Sequence, residues 1–429
     1  MRGLVNLGST CYLNCIIQAL SVLNFSLPDL LFFKHLNGLF NELKENGSPS
    51  SAYSVLQALN CPTTQQDAQE ALIKVIDRLE EDTKELIIWI SHLFHGFTKF
   101  QKQLEVIDYT GQMLAIRLVV TESRAVRLVN DKSKVIKVHR IHLPQTDFTG
   151  TVLSVMTCSN CKRPRVNLSK THIFQFNLPE SLEMSVEEMA RQITEGNQSR
   201  IGFSLLQLFQ NFAKEELLDS VHCEFCTIQD TKAHLDELIK KSSEPVKQGL
   251  DRLKNIINSY PDTANIDDIN LELLDDIKDD LWVKNGYPHV RKTTVGYLPK
   301  FLIIQCMRSQ YTSFGEQKNS TFVSFPFQMK MSELSPFLFG NSLNNTTCHM
   351  TGSYQLKSVV EHQGIHNYGH YISYKYNKEE DQWYHLSDDS VSKVAESVVE
   401  RAEAYLLIYE LGPEIEETTK SATTAEEIK

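Results

Sequence analysis

The sequence predicts an α+β fold, with helices first and a sheet last, and three observations carry that reading. Apolar residues in the opening third recur at helical spacing: Leu13, Ile16, Ile17 and Leu20, then Ala68, Ala71, Leu72 and Val75. From about Gln145 the apolar runs shorten to strand length between polar turns, as in Thr171 to Leu178. The last third is built of β-branched and aromatic runs, from Tyr297 to Cys306, Thr321 to Phe327, Tyr354 to Glu361, Tyr368 to Tyr376 and Ala404 to Glu410, and these predict a sheet of several strands.

A helical period returns between Ala233 and Trp282, with Val246, Leu250, Leu253, Ile256 and Ile257 on one face. The stretch Asp262 to Asp280 then holds eight acids against the single Lys278, which reads as the solvated face of a helical insertion or as a partner-docking element. The tail 412–429 is Glu, Thr and Ala with few large apolar residues, a composition that predicts disorder. The 429 residues are 41% hydrophobic and 23% charged, the make-up of a soluble globular protein with ample core material. A net charge of −11 argues against a basic nucleic-acid footprint. An odd number of cysteines, nine, and no charged-then-apolar leader at Met1 argue against a secreted disulfide scaffold and for a reducing compartment. Apolar runs such as Leu86 to Ile90 fall well short of the roughly 20 residues that span a bilayer, so no membrane segment is expected in this chain.

Gly3 to Cys15 runs from a polar glycine-bearing loop into an amphipathic helix that Ser9 or Thr10 is placed to cap. A cysteine in the first turn feels the helix dipole and unpaired amides, which favour thiolate, so Cys11 is a candidate nucleophile; a buried inert cysteine is the alternative. Amides at such a terminus can donate to a developing oxyanion, and Asn6 could add a donor. Cys15, one turn on, reads as a small buried hydrophobe.

A cysteine nucleophile needs a base and a group to orient that base. Asn367 to Tyr374 places His370 after Gly369 at the start of a strand-like run, and the polar cluster Ser387-Asp388-Asp389 follows. Taken alone, the segment reads rather as a surface strand with a polar turn. His362, His366 and His385 are weaker candidates for the base.

Cys158-Ser-Asn-Cys161 and Cys223-Glu-Phe-Cys226 are two CxxC pairs about 60 residues apart. Brought together by a hairpin they would complete one tetrahedral zinc site, with disulfides or free thiols as the alternatives. Four cysteines leave no open position, so the site reads as structural.

Together these segments resemble the ubiquitin-specific protease (peptidase C19) family of deubiquitinases, from Gly3 to about Leu411. Gly3 to Cys15 is similar to its cysteine box, Thr64-Gln-Gln66-Asp67-Ala-Gln-Glu70 to its glutamine-aspartate box, and Gly369-His370-Tyr371 to its histidine box. Leu298 to Leu302 with Arg308, Val323 to Pro326, and Ala404 to Tyr409 resemble its palm strands. The resemblance implies a papain-like cysteine protease with thumb (1–144), fingers carrying the zinc knuckles (145–232), a helical acidic insertion (233–285) and palm (286–411). It implies that Cys11 is the nucleophile, His370 the base and Asn6 an oxyanion donor. Asp67 and Glu70, with Gln66, Gly369 and Tyr371, would line the channel for the basic, diglycine-ended ubiquitin tail. One structural zinc, no organic cofactor, ubiquitin and ubiquitinated proteins as partners, and no nucleic acid follow from the same resemblance.

Three positions depart from the family pattern. Ser9 stands where asparagine is usual, Cys15 where serine is usual, and Ser387 where most members carry the Asp or Asn that orients the histidine. A serine accepts the imidazole proton bond without supplying charge, and Asp388 would compensate through water. The Ser-Asp-Asp-Ser-Val pattern is similar to the mitochondrial-outer-membrane branch with a serine in the triad. The expected compartment is the cytosol, or that membrane if an anchor upstream of Met1 is missing. Ser387 also motivates an alternative, a catalytically weak or inactive ubiquitin-binding scaffold of the same fold. A zinc-ribbon nucleic-acid binder is the third reading, and the acidic balance disfavours it.

Overall fold

The computed structural model describes residues 1–25, 31–95, 103–107, 138–142, 147–178, 202–260, 269, 278–312, 315–338, 352–365 and 368–412. Most of the acidic stretch, Asn367 and the tail 413–429 lie outside the described residues. The chain divides into two compact units: Met1–Thr151, Lys170–Gln210 and Tyr297–Lys429 form the first, Val152–Ser169 and Asn211–Gly296 the second.

The first unit opens with α1 (Cys11–Leu20), α2 (Leu31–Lys44), α3 (Tyr53–Ala58) and α4 (Ala68–His95), the helical start that periodicity predicts. All ten residues of α1 are buried, so it is a central helix rather than an amphipathic surface one. Burying each of Leu13, Ile16, Ile17 and Leu20 contributes roughly 1.5–3 kcal/mol. The polar residues of α1 are satisfied from outside the helix: Gln18 Nε2 donates to the Arg2 carbonyl at 2.9 Å, and Asn14 Nδ2 to Asp388 at 2.8 Å. Asp82 of α4 accepts the N–H groups of Phe32 and Phe33 at 2.8 and 3.3 Å, closing the first turn of α2.

The expectation of a mainly helical stretch fails beyond α4. The strands β1 (Gln103–Ile107) and β2 (Val138–His142) pair in parallel there, and the Leu-Glu-Val run of β1 alternates with a period of two rather than 3.6. Then follow β3 (Gly150–Cys158), β4 (Pro164–Thr171), β5 (Phe174–Asn177), β6 (Gly202–Ser204), α5 (Leu205–Phe212), β7 (Glu215–His222), α6 (Glu224–Lys241), α7 (Glu244–Ser259) and β8 (Gly286–Tyr297). The last third supplies β9 (Phe301–Met307), β10 (Ser309–Thr312), β11 (Gly315–Lys318), β12 (Phe322–Ser324), β13 (Gln328–Lys330), β14 (Ser353–Ile365), β15 (Tyr368–Asn377), β16 (Gln382–Ser387), β17 (Ser390–Val394) and β18 (Ala404–Gly412).

The principal sheet runs β17-β16-β15-β14-β18-β9-β5, with β13 added on β14. Within it β9 lies between β18 and β5, and Phe301 to Cys306 are all buried, as in a strand covered on both faces. The helix α1 packs on β14 and β15. Pairing of Gln363 with His370 and Gly364 with Gly369 fixes where the histidine falls.

The second unit holds the four-stranded sheet β4-β3-β8-β7 and the pair α6 and α7, joined by a cluster of Ile228, Leu235, Ile257, Ile269 and Trp282. The predicted apolar face of α7 is only partly used: Ile257 is buried, while Val246 and Ile256 are 54% and 39% exposed. Among the described residues no helix is long and apolar enough to cross a membrane.

Candidate active site

Cys11 is the first residue of α1, and the residue before it, Thr10, does not cap the helix with its side chain. Its hydroxyl instead accepts the Leu7 N–H at 3.0 Å and donates to Asn6 Oδ1 at 3.3 Å, so it ties the preceding loop rather than the helix. Asn6 Oδ1 also accepts the N–H groups of Gly8 and Thr10, at 3.2 and 3.0 Å. The loop is thereby wound around one amide.

The Cys11 thiol does not have the lowered pKa expected of a first-turn cysteine. Burial pushes it up, since only 5% of the residue is exposed, and the charge of Asp388 adds to that. Nearby backbone N–H groups, that of Tyr371 first among them, oppose the shift, and they lose. Desolvation beats the helix terminus because it penalises the full thiolate charge. Cys15 is fully buried, with its thiol donating to the Tyr12 carbonyl at 3.1 Å, and burial also holds it a thiol.

His370 lies on β15, and its Nε2 sits 2.8 Å from Ser387 Oγ at the end of β16. With Nε2–H donated to that oxygen, Nδ1 is the nitrogen left to act as base. Gly369 is required beside it: a Cβ there would collide with the Gln363 carbonyl and His362 Nε2. His362 is stacked against Tyr371, with ring centroids 4.5 Å apart, and so buttresses the strand.

Asp388, expected to support His370 through water, directs its carboxylate to two asparagines. It occupies the two-residue turn between β16 and β17 with φ +48°, a left-handed conformation that Asp tolerates better than most residues. From there Oδ2 accepts Asn6 Nδ2 at 2.7 Å and Oδ1 accepts Asn14 Nδ2 at 2.8 Å. The Asp388 carbonyl also accepts the Leu4 N–H at 2.8 Å. The turn after Ser387 thus anchors the loop before Cys11, and Asn14 joins the site although the sequence reading had missed it. Its signal was a polar residue at position i+3 from Cys11 in a helix whose other strongly polar residue is Gln18.

The glutamine-aspartate segment is divided. Asp67 accepts the Gln69 N–H at 2.7 Å at the start of α4 and the hydroxyls of Tyr371 and Tyr405. Glu70 is exposed in the first turn of α4, and Gln66 turns back onto the Gln65 carbonyl at 2.7 Å.

Cys158, Cys161, Cys223 and Cys226 lie in the second unit with all four sulfurs within 4.8 Å of one another. The Cys158–Cys226 and Cys161–Cys223 separations are 3.8 and 3.7 Å. A tetrahedron with about 2.3 Å from metal to sulfur has edges of about 3.8 Å, so the donor set fits a thiolate-bound metal ion. These distances also exclude disulfides in this structure. The second pair is not in a hairpin: Cys223 ends the strand side of a junction and Cys226 lies in the first turn of α6. Asn160 Nδ2 donates to the Cys226 sulfur at 3.4 Å, and the Arg163 guanidinium lies 3.5 Å over the Phe225 ring, so the two knuckles grip each other directly.

The chain is similar over most of its length to known proteins. The chain is 24% identical over 465 residues to ubiquitin carboxyl-terminal hydrolase 27 of Arabidopsis thaliana, covering 95% of this chain and 85% of that protein. It is 22% identical over 439 residues to ubiquitin carboxyl-terminal hydrolase 51 of Mus musculus, covering 95% of this chain and 50% of that one. Among solved structures, the SAGA Ubp8/Sgf11/Sus1/Sgf73 DUB module bound to ubiquitin aldehyde has a chain of the same fold, with a TM-score of 0.55 and 17% identity over 96% of this chain and 70% of that one. The sequence pattern described as ubiquitin carboxyl-terminal hydrolase matches residues 2–409, nearly the whole length, and the chain belongs to the ubiquitin carboxyl-terminal hydrolase family.

Proposed function

We propose that this protein is a cysteine-type deubiquitinase in which Cys11 attacks, His370 moves the proton and Ser387 orients His370. The carrying observation is the 2.8 Å contact of His370 Nε2 with Ser387 Oγ, which leaves Nδ1 for the thiol. Because burial holds Cys11 protonated at rest, ionisation depends on transfer to His370. The thiolate adds to the carbonyl carbon of ubiquitin's terminal glycine, and the lysine amine leaves with the proton carried by His370. Water, deprotonated by the same imidazole, then hydrolyses the thioester and restores the thiol. Asn6 has two amide protons; Asp388 takes one and fixes the amide plane, and the other can donate to the oxyanion.

Gln66, Glu70, Gly369 and Tyr371 line the proposed tail channel, and Asp67 stands at its base. Ubiquitin and ubiquitinated proteins are the partners, and the net charge of −11 supports no role for nucleic acid. One zinc ion held by Cys158, Cys161, Cys223 and Cys226 would brace the fingers. Thumb, fingers, helical insertion and palm are assigned to 1–144, 145–232, 233–285 and 286–411 on the motif order. Ser387 supports membership of the mitochondrial-outer-membrane branch; the catalytic unit would work in the cytosol, free or at that membrane.

Incubation with ubiquitin bearing a C-terminal electrophile tests the assignment. Wild type should form one covalent adduct and Cys11→Ala none. An adduct that persists in Cys11→Ala, or none in wild type, would make the chain a ubiquitin-binding scaffold instead.

A further inference from the structure

The segment Pro62 to Asp67 touches both elements that carry the reacting pair. On the cysteine side, the Pro62 carbonyl accepts the Tyr12 hydroxyl at 2.6 Å and the Thr63 carbonyl accepts the Ser9 N–H at 2.7 Å. A Cβ on Gly8, where φ is +133°, would come within 2.9 Å of that Thr63 carbonyl, so glycine is what lets the two loops meet. On the histidine side, Gln65 Nε2 donates to the carbonyl of Gly369, the residue before His370, at 2.8 Å. Asp67 receives the hydroxyl of Tyr371, the residue after it, at 2.9 Å.

Asp67 is nearly saturated. Beside Tyr371 it accepts the Tyr405 hydroxyl at 2.8 and 2.9 Å and the Gln69 N–H at 2.7 Å. Burial first, and the Asp67 charge next, hold both tyrosine hydroxyls protonated, as donors. A carboxylate offers about four lone-pair sites, which leaves little of Asp67 for a cationic peptide.

We infer that Pro62–Asp67 is a positioning bridge, in which Asp67 holds the Tyr371 hydroxyl and Gln65 the Gly369 carbonyl, so that His370 between them keeps its place relative to the Cys11 loop. The inference rests on Cys11 and His370 being the reacting pair. It gives Asp67 a task other than attracting the ubiquitin tail, which falls to the exposed Glu70.

Asp67→Asn and Tyr371→Phe, compared with wild type and Glu70→Gln, test the bridge through two readouts. Turnover of a ubiquitin C-terminal fluorogenic amide gives kcat and KM separately. Iodoacetamide alkylation of Cys11, followed by mass spectrometry of its peptide, reports the sulfur without ubiquitin. In Asp67→Asn and Tyr371→Phe, kcat and the alkylation rate should each fall about tenfold, the effect of one lost hydrogen bond to a charged group, with KM little changed. Glu70→Gln should raise KM and leave alkylation alone. A raised KM with unaltered alkylation in Asp67→Asn makes Asp67 a tail contact and overturns the bridge. If Asp67→Asn does not fold, Tyr371→Phe, which keeps the ring, decides by the same criteria. Wild type that forms no ubiquitin adduct refutes the protease assignment; wild type that reacts, with alkylation normal in both variants, refutes the bridge alone.

Discussion

Cys11 and the four clustered cysteines place the same side chain in two settings. At Cys11 a single sulfur is buried, and desolvation keeps it a thiol. In the second unit four sulfurs stand at tetrahedral spacing, a donor set that fits a thiolate-bound metal ion. One setting suits a thiol paired with a base, the other a metal ion. Number and spacing of sulfurs, rather than burial, separate nucleophile from ligand.

Removing the metal should break this comparison most severely. Structural zinc in small fingers is bound with about 10–16 kcal/mol, so chelation or Cys161→Ser is expected to abolish cooperative unfolding of the second unit. Elemental analysis should find one zinc per chain, retained in Cys11→Ala and lost in Cys161→Ser. Zinc-free protein with an unchanged melting curve would end the structural assignment.

Acid should separate the regions by the pH at which each fails. Lys375 on β15 is 1% exposed, donating to Gln18 Oε1 at 2.6 Å and Ser21 Oγ at 3.0 Å at the end of α1. Burial, reinforced by Lys44, pushes its pKa down to about 7. The unfolded chain, with a lysine pKa of about 10.4, therefore binds more protons between these values, and stability falls as pH drops from about 10 to 7. The loss is on the order of 4 kcal/mol across that window. Lys375→Met should flatten the dependence, read by denaturant unfolding from pH 7 to 9, below the range where the buried tyrosines titrate. The zinc cluster should fail only at lower pH, where protons compete for thiolates. An identical slope in Lys375→Met would remove Lys375 from the account.

How legible these features were in the sequence depended on how local their causes are. The helices α1 and α4 and the strands β9, β14, β15 and β18 were readable because each carries its own period of apolar residues. The cysteine pairs were readable because CxxC spacing is itself the chemistry. What could not be read were contacts between segments far apart in sequence: Asp388 on Asn6 across 382 positions, Tyr371 on Asp67 across 304, and the burial that reverses the expected thiol shift. The exposed Val246 and Ile256 of α7 fit the helical pattern equally well, since periodicity names a face without saying what covers it.

The two residues of the β16–β17 corner give the smallest and most discriminating effects. Ser387→Ala removes the partner of His370 Nε2 and should lower kcat about tenfold to a hundredfold, while Ser387→Asp, which accepts the same proton with charge, should match or exceed wild type. Equal activity of wild type and Ser387→Ala would take Ser387 out of the mechanism. Asp388→Asn acts on two properties in opposite senses. Losing its charge removes one of the causes that raise the Cys11 thiol, so the pH midpoint of Cys11 alkylation should move down. It also weakens the hold on Asn6 and Asn14, so kcat should fall by about tenfold or less. A more readily ionised nucleophile that turns over more slowly is the signature of a residue that positions the oxyanion donor. An alkylation midpoint that moves up, or turnover that rises with it, would assign Asp388 to the histidine after all.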